Sequence, residues 1–440
     1  MSVSHLSLAL TYALCFFTSG SYVALLPSMR TELQACVAES ARLVGLGAAG
    51  SATGKLLYSG WMVDRLGARP GIAAALVMAA IAALALSRAN SFYVVLVCGP
   101  LTEFFTTAVW PAHVQLVRLG STVTEDEDRG IWMLGIASRL GAVCSQLAFG
   151  LAEGALGWRA AEHGTFCIGM TAALYVMLRP SSDATRVVPE SETAILTSPR
   201  VSEAQHPPKD LHTKPPMPAW RLLRKIASSH DFWLATAGTA CLGTVKRSGE
   251  LMVGVFLVDA TAPGVLSTGS AIGLAASFAA GVGFSVLVAG RRFSAAEPAG
   301  KLRLMRTLNA LSTFALLLLA ADAAAGDAAS SAHVVARAAL CAAAGVGLGV
   351  SFYLPPGLLA IRFGGRSAGV VSSYIDGFSY LAIFFASLLI SSLAQVPDLG
   401  WSAVWLFLAL LYGVGTSITA AYLARMLAGS VRPLEPQAAS

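Results

Sequence analysis

The 440 residues are 55% hydrophobic and only 12% are Asp, Glu, Lys or Arg, about half the charged share of a soluble globular domain. With a mean hydropathy of +0.67 the chain cannot cover a water-facing surface, which excludes a single soluble core, a disordered chain and a fibrous protein. A membrane-crossing helix takes about 20 apolar residues, so the chain has room for about a dozen spans. The net charge of +6 says less than where the basic residues fall.

Twelve apolar segments follow one another: 6–27, 43–62, 70–87, 91–117, 130–152, 160–178, 231–258, 266–289, 304–321, 338–361, 367–393 and 401–424. Their continuous runs read as helices, not as the alternating strands of about ten residues that build membrane barrels. Between the sixth and seventh lies the one long hydrophilic stretch, 179–230, with Pro180, Pro189, Pro199, Pro207, Pro208, Pro215, Pro216 and Pro218 among Ser, Glu and Lys. That is linker composition. The expected organisation is an all-α membrane protein of twelve transmembrane helices in two pseudo-symmetric bundles. The bundles are 1–178 and 231–425, joined by the linker 179–230 and followed by a tail, 426–440.

Basic residues set the orientation. With both termini cytoplasmic, 21 Lys and Arg fall on the cytoplasmic side, among them Arg65, Arg69, Arg118, Arg129, Arg291, Arg292, Arg362 and Arg366. Arg30, Arg42, Arg88, Arg159 and Arg337 are the five on the outer side. Without the linker's eight the ratio is still 13 to five, so the orientation rests on the short loops. Nothing in the sequence distinguishes the plasma membrane from an organelle membrane. The first fourteen residues hold no Lys or Arg, unlike a cleaved signal or an Arg-rich transit peptide.

The halves resemble copies of each other. Pro111 and Pro355 precede Arg118 and Arg362 by seven residues each. Arg139 follows Arg129 by ten, as Asp376 follows Arg366, and Gly157-Trp158 and Gly400-Trp401 open the sixth and twelfth segments. Parallel six-helix repeats place a substrate site between the halves near the bilayer midplane. Cys15, Cys98, Cys144, Cys167, Cys241 and Cys341 lie in apolar runs without metal or disulfide spacing and read as small core residues.

Between the second and third segments stands Gly60-Trp-Met-Val-Asp64-Arg65-Leu66-Gly67-Ala68-Arg69. It resembles the G-x-L-x-D-R-x-G-x-R signature of the major facilitator superfamily, departing only at Met62. In such a turn Asp64 can accept from a helix N-terminus while Arg65 and Arg69 hold the cytoplasmic face. Trp110-Pro111, Glu127-Asp128-Arg129-Gly130, Gly157-Trp158-Arg159 and Ile375-Asp376-Gly377 are similar to the organophosphate:phosphate (sugar-phosphate) exchanger branch. That resemblance implies basic phosphate ligands in the first and seventh helices. Lys246-Arg247 match in the seventh; in the first, Ser19-Gly20 stand at the matching place.

Charged residues inside a membrane are costly and mark a pathway or a partner. Seven lie well inside the segments: Lys55, Glu103, Arg139, Lys246, Arg247, Glu250 and Asp376. At 1.5 Å per residue, Glu103 and Lys246 both lie about 22 Å from the cytoplasmic boundary, and Lys55 and Asp376 about 14 Å from it. In the fold the resemblance implies, helices 4 and 7 line the cavity and helices 2 and 11 meet between the halves. Glu103 is then expected to face Lys246 and Arg247, and Lys55 to bridge to Asp376. Arg139 is placed to bind across the seam or to reach the substrate, with Tyr22, Tyr353 and Tyr380 as candidate polar contacts.

The seven sum to +1, which suits an anion or a zwitterion. Two readings stay open: a substrate-binding surplus, or seven groups that pair among themselves. Glu103 is the first candidate for proton coupling, because a carboxylate in a poorly hydrated cavity is more readily protonated. Gly50-Ser-Ala-Thr-Gly54 and Gly345-Val-Gly-Leu-Gly349 read as helix-packing faces, and His113 as capped or solvated.

No catalytic motif occurs in a usable place, and the basic residues follow topology and form no nucleic-acid patch. The expectation is a monomeric secondary transporter, not an enzyme, that needs no cofactor or metal. Its partners are the lipid bilayer and a small-molecule substrate, a small organic or phosphorylated anion. The alternatives are a proton-coupled symporter of a neutral metabolite and a sensor that binds without transport.

Overall fold

A computed structural model describes residues 3–59, 62, 66–120, 124–178, 224–364, 368–396 and 399–428. The described residues form twelve helical passages. The first, α1, is broken into Val3–Ser19, Ser21–Ala24 and Leu26–Glu32, and α2 runs Val37–Thr53 and continues as a π-helical turn, Gly54–Tyr58. Then come α3 (Ala68–Ser87), α4 (Phe92–Thr106 and Val109–Gly120), α5 (Thr124–Leu156) and α6 (Trp158–Leu178). The second set is α7 (His230–Asp259), α8 (Thr268–Phe284, a π-turn Ser285–Ala289 and Gly290–Ala295), α9 (Pro298–Ala325), α10 (Ser331–Gly364), α11 (Ala368–Leu393) and α12 (Gly400–Leu427). Residues 179–223 of the linker, 429–440 of the tail, and Asp64 and Arg65 of the signature turn lie outside the described residues.

Local chemistry marks the helix ends. Ser229 and Ser267 accept from the backbone N–H groups of Phe232 and Ser270 at 3.2 Å each, capping α7 and α8. Glu39 reaches back to the Cys36 N–H at 2.8 Å at the start of α2, and Pro298 opens α9, where its missing N–H costs nothing. Gly157, at φ +83°, makes the tight turn from α5 to α6.

Eight helices, α3, α4, α5 and α8 through α12, are long and apolar enough to cross a membrane by length and composition. The other passages are α1, α2, α6 and α7. Of these, α7 carries Lys246, Arg247 and Glu250 and has a nearly wholly buried middle, as a helix at the centre of a bundle does. The first six helices pack chiefly among themselves, α3 on α6 and α1 on α5, as do the last six, α7 on α12 and α9 on α10. Two seams join the sets, α2 against α11 and α5 against α8. The π-turns of α2 and α8 sit at corresponding places in the two sets, an internal copy invisible in the residue spacings.

The glycine faces pack helix on helix. A Cβ at Gly50 would strike the Pro100 carbonyl of α4, and one at Gly345 the Phe278 carbonyl of α8. The cysteines divide: Cys15, Cys98 and Cys341 are buried, but Cys144 and Cys167 are exposed on the outer faces of α5 and α6. Those two are not core residues; a thiol is apolar enough to sit on a surface that faces lipid. His113 is fully buried, with Nδ1 2.8 Å from the Val109 carbonyl and Nε2 3.1 Å from the Thr11 hydroxyl. It is capped, not solvated.

Candidate functional site

Midway along α7, Lys246, Arg247 and Glu250 face the interior between the two sets of helices. Lys246 Nζ donates to Glu250 Oε2 at 2.9 Å, one helical turn on. The other carboxylate oxygen, Oε1, accepts from Arg139 Nη1 of α5 at 2.5 Å. Gln146 Nε2 reaches the Glu250 carbonyl at 3.4 Å from the same face of α5. Aromatic rings flank both cations: Arg139 lies 5.6 Å from the Phe16 centroid and 5.5 Å from that of Tyr353, and Lys246 5.6 Å from that of Phe352. Ring faces attract cations that have left water.

Arg247 faces the other way. It donates to Glu103 of α4 and, at 2.9 Å, to the Tyr22 hydroxyl. Tyr22 in turn donates to Glu103 Oε1 at 2.7 Å, and Ser51 of α2 donates to Oε2 at 3.0 Å. Four helices meet on one carboxylate. The breaks in α1 at Gly20 and Leu25 isolate the short piece that carries Tyr22.

A third pair lies along the α2–α11 seam. Lys55 Nζ sits 2.8 Å from Asp376 Oδ2, with side chains 12% and 29% exposed. Lys55 belongs to the π-turn of α2, and such turns occur often at functional sites because they re-aim a side chain.

All seven charged groups singled out in the sequence therefore lie in three clusters: Arg247–Glu103, Arg139–Glu250–Lys246 and Lys55–Asp376. Four cations and three carboxylates leave a surplus of +1, and it belongs to the cluster in which two cations share Glu250. All seven groups are ion-paired, and the count still leaves one positive charge over. Beside these clusters is a small cavity. It is walled by Thr239, Gly243, Lys246 and Arg247 of α7, Phe352 of α10, and Asp376, Ser379, Tyr380 and Ile383 of α11. Two polar atoms here, Arg247 Nε and the Tyr353 hydroxyl, are buried without a hydrogen-bond partner. Buried polar groups are rarely left so unless something else fills the place.

Arg69 is half-buried at the start of α3; Asp64 and Arg65, its partners in the signature, are not described. Sequence reasoning missed two polar features of the bundle. Glu162 of α6 is fully buried and accepts from the Ser21 hydroxyl at 3.0 Å, beside Tyr22. Its place four residues from Trp158 reads in sequence as a span end. Arg30, at the tip of α1, pairs with Asp259, the last residue of α7, and the neighbouring Pro27 lies over Gly254. These contacts join the two sets of helices at the end of the bundle opposite the termini, and only tertiary structure brings Arg30 and Asp259 together.

The Major Facilitator Superfamily model matches residues 8–387. Among solved structures, the chain is similar to the nucleoside transporter NupG (D323A mutant), with a TM-score of 0.65 and 16% identity over 95% of this chain and 99% of that one. It is similar to a bacterial homologue of the human lysosomal transporter Spinster, inward-facing and unoccupied, with a TM-score of 0.64 and 15% identity over 99% of both. A structure from proton-dependent oligopeptide transporters gives a TM-score of 0.68 and 14% identity over 96% of this chain and 99% of that one. Identities this low establish a shared fold. No curated protein matches the sequence significantly.

Proposed function

The chain belongs to the Major Facilitator Superfamily, and we propose that this multi-pass membrane transporter is a secondary active carrier of a small organic or phosphorylated anion. The observation that carries the reading is the surplus of +1 in the buried charge layer, with Lys246 and Arg247 on the cavity wall. A net-positive layer with little exposure attracts an anion and repels a cation, because charges interact more strongly away from water. Lys246 and Arg247 bind the negative group, and Arg139, Tyr22 and Tyr353 complete the contacts.

Transport proceeds by rocking of the bundles 1–178 and 231–425 about the α2–α11 and α5–α8 seams, in a monomer with both termini cytoplasmic. Lys55–Asp376 spans one seam and breaks and re-forms as the halves rock; Asp64, Arg65 and Arg69 gate the cytoplasmic side. Glu103, which holds Arg247, is the candidate coupling carboxylate. The phosphorylated form of the reading rests on the exchanger-like tetrads alone. At Gly20, where that branch implies a basic residue, a Cβ would lie 2.8 Å from both the Phe16 carbonyl and the Ser145 hydroxyl.

Counterflow in proteoliposomes, with labelled carboxylates in one series and labelled phosphates in another, tests the reading. Anion uptake in wild type that Lys246→Ala/Arg247→Ala loses is the expected result. Uptake confined to neutral solutes overturns the anion reading and turns attention to Glu103 as a proton carrier. Binding without flux identifies a sensor.

A further inference from the structure

The anion reading leaves the number of charges on the solute open, and the charged groups around the cavity bear on it. Resting on that reading, we infer that the occupant is a monoanion bound through one carboxylate-type group, and not a phosphate dianion.

The first argument is charge. The layer around the cavity holds a single uncompensated positive charge, since Arg247 is matched by Glu103, Lys55 by Asp376, and Arg139 with Lys246 share Glu250. A monoanion brings the sum to zero. A dianion leaves a net negative charge among groups largely removed from water, and an uncompensated buried charge costs several kcal/mol.

The second argument is the supply of donors. Arg247 spends Nη2 on Glu103 and Tyr22 and keeps Nε free. Lys246 spends one of three N–H bonds on Glu250. Arg139 is committed to Glu250 and Ser138 and flanked by two rings. What remains suits the two oxygens of a carboxylate. Phosphate recognition favours a guanidinium free to bind bidentately, and neither arginine presents its whole fork.

A matched series on purified full-length protein tests this by isothermal titration: phenylacetate, phenyl phosphate, phenylalanine and benzyl alcohol, which share the ring and differ in charge. The expected result is phenylacetate binding at least about tenfold tighter than phenyl phosphate, the cost of one uncompensated charge, with no binding of benzyl alcohol. Phenyl phosphate binding as tightly or more tightly overturns the monoanion inference and leaves the anion reading intact. Phenylalanine binding tighter than phenylacetate overturns it in favour of a zwitterion. If neither anion binds to protein that unfolds cooperatively, or benzyl alcohol binds as well as they do, the anion reading falls too. Lys246→Gln removes a cation from the cavity wall and is expected to abolish phenylacetate binding; undiminished binding in a folded variant puts the ligand elsewhere and overturns the site.

Discussion

Glu250 of α7 holds Arg139 of α5 at 2.5 Å, across the boundary between the two sets of helices. The same carboxylate holds Lys246 of its own helix, so one side chain fixes two cations, and one of them belongs to the opposite half. Arg139 is only 4% exposed. Removing Glu250 strands two buried cations, and breaking a buried pair from one side costs about 3–5 kcal/mol. Glu250→Gln should therefore unfold at a distinctly lower temperature than wild type in the same detergent. Arg139→Leu/Glu250→Leu should lose less than the sum of its single changes, because it removes both partners of one pair. Additive losses would show that the two side chains act independently.

Much of this arrangement was legible in the sequence. The twelve passages and the seven charges inside the spans follow from hydropathy, and the Lys55–Asp376 contact from residue depths combined with the helix neighbours that the family resemblance implies. Helix rise gave depth along the bundle but not rotation about each axis. Depth placed Glu103 level with Lys246 and Arg247 without saying that Arg247 takes it while Lys246 turns to Glu250. Arg139 was expected to face α8 or the substrate. It does lie on Gly283 of α8 with its Cβ, but its guanidinium reaches α7. The breaks in α1 fall at Gly20 and just before Pro27, residues that the apolar run 6–27 hides, and the paired π-turns leave no pattern in the residue types. Glu162 escaped notice for a similar reason: its burial depends on the Ser21 piece of α1 covering it.

The Lys55–Asp376 pair gives a test of rocking. If the bridge must form and break in each cycle, Lys55→Ala and Asp376→Ala each slow transport, and the exchange Lys55→Asp/Asp376→Lys restores part of the rate. A purely structural pair would show itself otherwise: single variants with lower melting temperature and an unchanged rate per folded molecule. Initial uptake rates normalised to folded protein separate the outcomes.

Close helix contact within the second set predicts a strict requirement for glycine at position 281. A Cβ there would run into the Ala342 carbonyl of α10. The obstacle is backbone, which has no rotamer to give way. Gly281→Ala should cost about 1–3 kcal/mol, the usual penalty for overpacking, while Gly273→Ala on the same helix meets open space and should be neutral. Thermal melts of the two variants compare them directly; equal stability would remove the packing argument for α8 against α10.

At the end of the bundle opposite the termini, Glu32 ties the tip of α1 to the start of α6. It accepts from Trp158 Nε1 at 2.5 Å and pairs with Arg159. The Trp158 hydrogen bond, joined by Arg159, holds its carboxyl below the ordinary glutamate range against the opposing effect of burial. A depressed acid stabilises the state that depresses it only while ionised. The tie is therefore fully present above about 4.3, the pKa of a free glutamate, and is lost as pH falls through the lowered value. The next ion pair on the same piece of α1 is Arg30–Asp259, which joins the two sets of helices, so acidification should loosen this end of the bundle first. A single cysteine at Thr31 should react faster with a membrane-impermeant maleimide when quenched-flow labelling is preceded by a short acid pulse. With Glu32→Gln in the background, labelling should start high and change little with the pulse. Equal pH responses in the two proteins would assign the acid sensitivity to another group.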